Sequence, residues 1–301
     1  MIPRTEKDNE GKELVVTVLV ENSRASGLLN EHGLSLYVEY GSQRLLLDFG
    51  QSNAFARNAE TLGVDLGEVD LAVLSHAHYD HADGMGTFLE RNEHATVFLS
   101  ESCAEDCWST KAGTTTPHYI GIRKGLTEQH RKRLRFVPKN KVTTISPGIH
   151  VVPHSTPGLD ETGKEAGMLR EAKGTWRPDD YAHEMSLVVE LGPAGDEALV
   201  VFSSCTHAGL SVVMDEVRRA FPQRSTAAFV GGLHLVHAGD DEILRVADAI
   251  QAHAVKRLYT GHCTGKRAIE LLSQRLHHTV YVLHPGLVFD LPFCQKGSRP
   301  F

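Results

Sequence analysis

The sequence has few cysteines, no long apolar run and no strong excess of either charge. Five irregularly spaced cysteines in 301 residues are too few for a disulfide scaffold. No apolar run approaches the roughly 18 residues that a membrane-spanning helix needs. The formal net charge is −7, from 31 Lys and Arg against 38 Asp and Glu, which argues against a general binder of nucleic acid or anionic membranes.

Two familiar local signals are also missing. The polar N-terminus precedes only a short apolar run, Leu14 to Val20, which lacks a signal-peptide cleavage pattern, so we expect a cytoplasmic protein. Gly231-Gly232 does not have the Gly-x-Gly-x-x-Gly spacing of a dinucleotide-binding loop. We expect no membrane or nucleic-acid partner, and the sequence gives no indication of oligomeric state.

What is present is an alternation of short apolar runs with amphipathic segments. Runs such as Arg44 to Asp48 and Ala198 to Phe202 predict strands, and Leu210 to Ala220 predicts a helix. This plan occurs twice along the chain, which predicts an α/β fold, a four-layer αβ/βα sandwich formed by one domain over residues 1–301. The Gly-, Thr- and Pro-rich stretch 109–180 breaks the alternation, and we interpret it as an insertion over the active-site edge.

The insertion contains a strongly basic stretch. Arg123 to Lys141 holds eight basic residues and one acidic residue, Glu128. Such a stretch is typical of a solvated helix face. The alternative is a patch that attracts an anionic substrate, because Arg and Lys both suit phosphate.

The strongest chemical signal is a cluster of histidines after an apolar strand. The segment from Leu74 reads Leu-Ser-His-Ala-His-Tyr-Asp-His, which places His76, His78, Asp80 and His81 within six residues. Apolar cores do not tolerate such a density of polar side chains. His76 and His78 project to one side of an extended segment and can bind one cation, while Asp80 and His81 can reach a second. Imidazole suits zinc, iron, nickel and copper, and carboxylate extends the choice to manganese.

At this motif the sequence resembles the metallo-β-lactamase superfamily, whose hallmark is a His-x-His-x-Asp-His loop after a strand. The resemblance implies the αβ/βα sandwich with a dinuclear metal site at one edge. Further stretches, such as Glu31 to Ser35, Ser204 to Gly209 and Thr260 to Gly265, resemble a subfamily of metal-dependent hydrolases. That subfamily includes an archaeal dihydropterin-ribofuranosylaminobenzene-phosphate synthase.

The resemblance also implies where the remaining ligands lie. The superfamily supplies a third ligand to the first metal from a later His followed by a strand, which fits His183, with His154 as the competitor and Glu184 as an alternative oxygen ligand. A bridging Asp normally ends the next strand. Here the chain departs from that pattern, and either Cys205 takes the Asp place or His207 acts there as ligand or proton donor.

The last ligand implied by the superfamily is a His after a late strand, which matches His262. His234 follows a strand through Gly231-Gly232 and is a candidate proton donor or substrate contact. A thiolate from Cys205 would favour zinc or iron over manganese.

The chain is thus expected to be an enzyme with two divalent metal ions, zinc first and iron or manganese as alternatives. The favoured function is hydrolysis of a small anionic ester or phosphoester by a metal-activated hydroxide. Asp80 would ligate and orient that hydroxide, and His207 or His234 would protonate the leaving group. The alternatives are transfer of the synthase type and a metal-stabilised binding protein without catalytic activity.

Overall fold

Two large β-sheets make up most of the protein in a computed structural model that describes residues 13–110, 116–192 and 198–291. In chain order the strands of these ranges are β1 Leu14–Val20, β2 Ser35–Tyr40, β3 Gln43–Leu47, β4 Leu71–Val73, β5 Thr96–Ser100, β6 Asp106–Thr110, β7 Pro117–Tyr119, β8 Leu134–Val137, β9 Thr143–Ser146, β10 Ile149–Pro153, β11 Met168–Ala172, β12 Thr175–Pro178, β13 Met185–Leu191, β14 Ala198–Phe202, β15 Ser225–Gly231, β16 Leu258–Thr260, β17 Val280–Val282 and β18 Val288–Leu291.

The helices of the same ranges lie mostly outside the sheets. They are α1 Ala54–Leu62, α2 Tyr79–Ala82, α3 Met85–Arg91, α4 Leu126–Gln129, α5 Leu159–Glu165, α6 Leu210–Ala220, α7 Asp240–Ala252 and α8 Lys266–Leu276. Within the described ranges, none of them has the length and apolar character that crossing a membrane requires.

The two seven-stranded sheets pack face to face. The first has the order β18-β1-β2-β3-β4-β5-β8 and the second β17-β16-β15-β14-β13-β10-β9. Val16 pairs with Val38 in the first sheet, and both are buried in the same apolar cluster as Leu187 and Val200 of the second. Burying this apolar surface between the sheets is the main force that holds them together.

A layer of helices covers the outer face of each sheet. In α6 the buried residues Leu210, Val213, Met214 and Val217 follow the spacing of one helix face. They join the apolar cluster that α7 and α8 share with the second sheet, while α1 and α3 cover the first. The predicted four-layer αβ/βα sandwich is therefore confirmed.

The segment predicted as an insertion is divided among three sheets. Strands β7, β11 and β12 form a separate four-stranded sheet together with β6. Strand β8, however, extends the first large sheet, and β9 and β10 extend the second. The sequence 109–180 is thus partly a structural component of the sandwich, because β8 pairs with β5 and β10 pairs with β13.

The carboxyl ends of several parallel strands lie at one edge of the sandwich. Strands β3 and β4 run parallel in the first sheet, and β14, β15 and β16 run parallel in the second. The chain leaves each of these strands toward the same edge, where ligands bind in open α/β sheets. This edge therefore receives side chains from both halves of the chain.

Candidate metal centre

The His-x-His-x-Asp-His segment forms the loop between β4 and α2. His76 and His78 lie in the loop, and Asp80 and His81 lie in the first turn of α2, which begins at Tyr79. All four side chains are buried, as predicted for ligands and not for a solvated loop. The chain turns at the start of α2. Asp80 and His81 therefore face a different position from His76 and His78.

The first donor set consists of three imidazoles. His76, His78 and His207 each offer a ring nitrogen within 4.8 Å of the others. The Nε2 atoms of His76 and His78 and both ring nitrogens of His207 are buried and have no hydrogen-bond partner among the described residues. Because buried polar atoms are nearly always paired, this arrangement indicates a ligand such as a divalent cation.

Burial keeps these three rings neutral. Loss of water lowers the pKa of His76 and of His207 well below the usual value, and the neighbouring imidazoles lower both further. Burial, followed by the effect of His183, lowers the pKa of His78 to about 3. Neutral imidazole is the form that binds a metal ion.

His183, predicted as the third ligand, lies beside this set with both ring nitrogens engaged. Its Nδ1 accepts a hydrogen bond from the backbone N–H of Ala77 at 3.3 Å, and its Nε2 lies 3.0 Å from Oδ2 of Asp179. It also lies within 4.8 Å of His78, in a group with Cys107 and Asp179. His207 therefore shares a donor group with both His76 and His78, whereas His183 shares one with His78 alone.

The competitor His154 lies on the other face of the second sheet. Its Nδ1 is 2.7 Å from a carboxylate oxygen of Glu216 on α6, and its Nε2 is 3.0 Å from the hydroxyl of Ser186. These contacts satisfy the whole imidazole ring. His154 is not brought into either donor set.

The second donor set combines a carboxylate with two imidazoles. Oδ2 of Asp80 lies 3.5 Å from Nε2 of His81 and 3.4 Å from Nε2 of His262, and the two nitrogens are 3.1 Å apart. Although burial opposes it, the neighbouring His81 holds the pKa of Asp80 well below its usual range. Burial likewise opposes charge on His81, but Asp80 and Asp48 raise its pKa to about 9.

Cys205 lies between the two sets. Its sulfur is 3.2 Å from Nε2 of His81 and within 4.8 Å of a ring nitrogen of His76. Burial raises the pKa of this thiol, so that ionisation requires a positive neighbour such as a bound cation. The assignment of Cys205 to the bridging position remains a prediction, and its placement is consistent with that role.

Comparisons with known proteins agree with this geometry. Residues 30–159, which include the histidine motif, match the family model described as the Metallo-beta-lactamase superfamily. The solved structure of Tm1679, described as a metal-dependent hydrolase of the beta-lactamase superfamily, is 26% identical and superposes with a TM-score of 0.77 over 93% of this chain and 99% of that chain. This chain is therefore similar to proteins of the metallo-beta-lactamase superfamily and shares their fold.

Two curated proteins that are similar to this chain come from Methanocaldococcus jannaschii. One is the 7,8-dihydropterin-6-methyl-4-(beta-D-ribofuranosyl)-aminobenzene-5'-phosphate synthase, 24% identical over 86% of this chain and 90% of that protein. The other is the uncharacterized protein MJ0448, 24% identical over 92% of this chain and 100% of that protein.

Two buried carboxylates, one of them without a role in the sequence analysis, support the histidine motif. Asp48, directly after β3, accepts hydrogen bonds from the backbone and hydroxyl of Ser75 and lies 2.8 Å from Nδ1 of His81. The signal for it was available, because Asp48 ends a strand parallel to the one that precedes the motif. Glu184, proposed as an alternative ligand, instead uses its two oxygens to accept the backbone N–H groups of His207 and Ala208.

His234 lies next to the first donor set. Its ring centre is 4.3 Å from that of His207, its Nδ1 is buried without a partner among the described residues, and the side chain is half-buried. Burial opposes protonation, but Cys263 raises the pKa of His234. The preceding Gly231 has φ of 138°, and a Cβ there would lie 2.0 Å from the carbonyl oxygen of Ser203, so this turn requires glycine.

Backbone strain concentrates at this edge of the protein. Asp48, Thr206, His234 and His262 all have φ between 51° and 60°, in the left-handed region. Thr206 is the most unusual, because a β-branched residue is disfavoured there. Its hydroxyl donates to the carbonyl of Gly232 at 2.6 Å, which fixes the turn that directs His207 toward His76.

The basic stretch is not a continuous helix face. It comprises the short helix α4, a turn and strand β8. The guanidinium of Arg133 donates to the carbonyls of Asn92 and Ala95, and Lys124 is paired with Asp106. Arg133 and Lys124 therefore make contacts that stabilise the fold.

Proposed function

We propose that this protein is a metal-dependent hydrolase that binds two divalent cations and cleaves a small anionic ester or phosphoester. His76, His78 and His207 would hold one cation, and Asp80, His81 and His262 the other. The observation that carries the proposal is the convergence of buried, unpartnered imidazole nitrogens beside a second set of donors. The likeness to a metal-dependent hydrolase, Tm1679, supports the same reaction class.

The donor atoms fit divalent transition metals, and zinc fits them best. Neutral imidazoles and a carboxylate are typical zinc and iron ligands, and the nearby thiol of Cys205 adds a preference for softer ions over manganese. Such cations, when bound, lower the pKa of coordinated water toward 7 and stabilise negative charge that develops on the substrate.

The protein's own groups would then orient the reactants and move protons. Asp80 presents a carboxylate oxygen to the donor set, where it can accept a hydrogen bond from the attacking water and orient it. Asp48 fixes the ring of His81 from behind. His234 is half-buried beyond His207, and we assign it the role of proton donor to the leaving group.

Metal analysis tests the proposal most directly. The protein, loaded with zinc and separated from unbound zinc, should contain close to two zinc ions per chain. His76→Ala and His262→Ala should each contain about one zinc ion fewer per chain. His94→Ala, which removes an exposed imidazole away from the site, is the matched control and should keep two. Unchanged metal content in both site variants would contradict the proposal.

A panel of phosphodiesters, lactones and thioesters then tests whether water is the acceptor. Turnover of one class that is lost in His76→Ala and retained in His94→Ala would support hydrolysis. Absence of turnover with the whole panel would favour the second candidate.

That second candidate is a transferase, and the similarity to the archaeal synthase supports it. The same site could ionise a phosphoribosyl substrate, so that the bond to its leaving group breaks and that group departs with the electron pair. A carbon nucleophile such as a dihydropterin would then form the new bond and lose a proton. Consumption of a dihydropterin together with a phosphoribosyl aromatic amine would identify it. The transferase requires that both substrates disappear together, whereas hydrolysis consumes one alone.

A further inference from the structure

Asn22 lies between two histidines at the rim of the second donor set. Its Oδ1 is 2.8 Å from Nδ1 of His262 and 3.2 Å from the backbone nitrogen of Gly33. Its Nδ2 is 3.2 Å from Nδ1 of His32. The rings of His32 and His262 stack with their centres 5.1 Å apart, so a single amide contacts both.

The orientation of this amide follows from Gly33. A backbone N–H can only donate, so the Asn22 atom that faces Gly33 must be the oxygen. The same oxygen faces His262, whose Nδ1 must therefore carry a proton and leave a lone pair on Nε2. The amide nitrogen faces His32, whose Nδ1 must accept, so that Nε2 of His32 carries the proton.

The two histidines thus present opposite groups to Asp80. The lone pair of His262 Nε2 is directed to the donor set, 3.4 Å from Oδ2 of Asp80. His32 Nε2 lies at a similar distance, 3.3 Å from the same oxygen, but it offers a hydrogen instead. In a tetrahedral zinc site with bonds of about 2.0–2.2 Å, neighbouring ligand atoms are separated by roughly 3.3–3.6 Å. The distance from Nε2 of His32 to Asp80 would thus allow His32 to be a ligand. The proton on Nε2 prevents it from binding the cation.

We propose that Asn22 is a positioning residue that sets the tautomers of His262 and His32 and so keeps one coordination position of the second cation open. The inference rests on the proposed function. Asp80, His81 and His262 supply three protein ligands, and Cys205 lies beside His81. A further ligand from His32 would take the position that water or substrate needs in a catalytic site. In the resting protein His32 donates a hydrogen bond to Asp80 and remains half-exposed at the rim, with 53% of its side chain accessible.

Two substitutions separate the two effects of the amide. Asn22→Asp keeps the shape and still accepts from Gly33 and His262, but it presents an acceptor to His32, whose Nδ1 must then carry a proton. Asn22→Leu removes both contacts. The matched control is Asn30→Asp, because Asn30 is exposed and contacts only the backbone carbonyl of Asn22.

The experiment is nitrogen-15 NMR of the histidine rings in the full-length protein, metal-free and zinc-loaded, together with zinc affinity from chelator competition. We expect a proton on Nε2 of His32 and on Nδ1 of His262 in the wild type and in Asn30→Asp. In Asn22→Asp, Nδ1 of His32 should gain a proton while His262 keeps its tautomer, and the second zinc should bind at least as tightly although turnover falls. Asn22→Leu should lose about 10- to 100-fold in affinity for the second zinc.

A wild-type protein with the proton on Nδ1 of His32, or an unchanged His32 in Asn22→Asp, would overturn the inference. Asn22→Asp retains nearly the native shape, so the test stands if Asn22→Leu fails to fold. The metal-free spectra report the tautomers even if fewer than two zinc ions bind. In that case the proposed function and the open coordination position both fail, whereas the effect of Asn22 on the two tautomers is still decided by the spectra.

Discussion

The carboxylate of Asp48 lies 2.8 Å from Nδ1 of His81, on the side of the imidazole that faces away from the second donor set. The same oxygen of Asp48 accepts a hydrogen bond from the hydroxyl of Ser75. The oxygen of that hydroxyl lies 2.8 Å from Nδ1 of His76. One buried carboxylate therefore orients a histidine in each donor set. Such contacts fix the ring orientation and the tautomer that a metal ligand needs.

Asp48→Asn should weaken metal binding without abolishing the fold. An amide in this place must direct its NH2 group at a donor, either Ser75 or His81, because all three contacts of Asp48 are donated to it. We expect about a 10- to 100-fold loss of affinity for one cation and a loss of about 1–3 kcal/mol in the free energy of unfolding. Chelator competition and urea unfolding measure the two effects, with the exposed Asp241→Asn as control. Wild-type affinity in Asp48→Asn would show that the carboxylate does not support the site.

The third ligand of the first cation can be decided by a pair of variants. His207→Ala should lose about one metal ion per chain, because its ring nitrogens have no other partner among the described residues. His183→Ala should keep both ions and instead lose about 1–3 kcal/mol of stability, since it leaves an oxygen of buried Asp179 without its hydrogen-bond partner. Metal content and urea unfolding give both readings. If the metal loss occurs in His183→Ala and not in His207→Ala, the assignment is reversed.

A pH dependence is expected from the buried contact between Glu216 and His154. Burial opposes the charge on Glu216, but the hydrogen bond from His154 and those from Ser155 and Thr156 lower its pKa below the usual 4.5. A carboxyl whose pKa is lowered on folding contributes stability above its unfolded pKa and loses it as the pH falls. The stability difference between wild type and Glu216→Gln should therefore be constant near neutral pH and shrink below about pH 4.5. Urea unfolding from pH 7 to 3 measures it, and a difference that grows on acidification would contradict the assignment.

The basic stretch should divide into two parts. Arg131 and Lys132 are exposed, whereas Arg133 donates to backbone carbonyls next to β5. Replacing Arg131 and Lys132 together by Ala should leave both KM for anionic substrates and stability nearly unchanged. Both residues precede β8, which runs parallel to β5 and β4, and so they lie at the end of the sheet opposite the site. Arg133→Ala should lower the free energy of unfolding by about 1–3 kcal/mol, because it leaves the carbonyls of Asn92 and Ala95 without this donor. Steady-state kinetics and thermal unfolding of the two variants separate these effects, and a raised KM in the double variant would show that the patch takes part in substrate binding.

The parts of the fold that sequence predicts well are those with strong local patterns. The apolar run at β1 and the amphipathic pattern of α6 have the predicted bounds, Leu14–Val20 and Leu210–Ala220. The Gly-, Thr- and Pro-rich composition of 109–180 predicts an insertion, whereas β8, β9 and β10 of this stretch belong to the two large sheets. Their membership in the large sheets is decided by tertiary packing, which leaves little local trace.

The candidate site divides in the same way. His76, His78, Asp80 and His81 are adjacent in sequence, so their spacing alone predicts that they act together. His183 and His207 both lie at ends of strands near this edge, and spacing does not distinguish them. The difference is produced by the left-handed turn at Thr206, which directs His207 inward, and by Asp179, which engages His183. Neither contact can be read from a periodic pattern.

The two donor sets draw on both halves of the sandwich: the motif loop follows a strand of the first sheet, whereas His207 and His262 follow strands of the second. A cation bound at either set would link the two sheets through its ligands. Because a ligand that binds only the folded state stabilises that state, such a cation would also stabilise the packing of the sheets at this edge. Removal of the metal by a chelator should therefore weaken the packing between the two sheets at this edge. Amide hydrogen exchange should then become faster in the loops after β4, β14 and β16 before it becomes faster at the opposite edge of the sandwich.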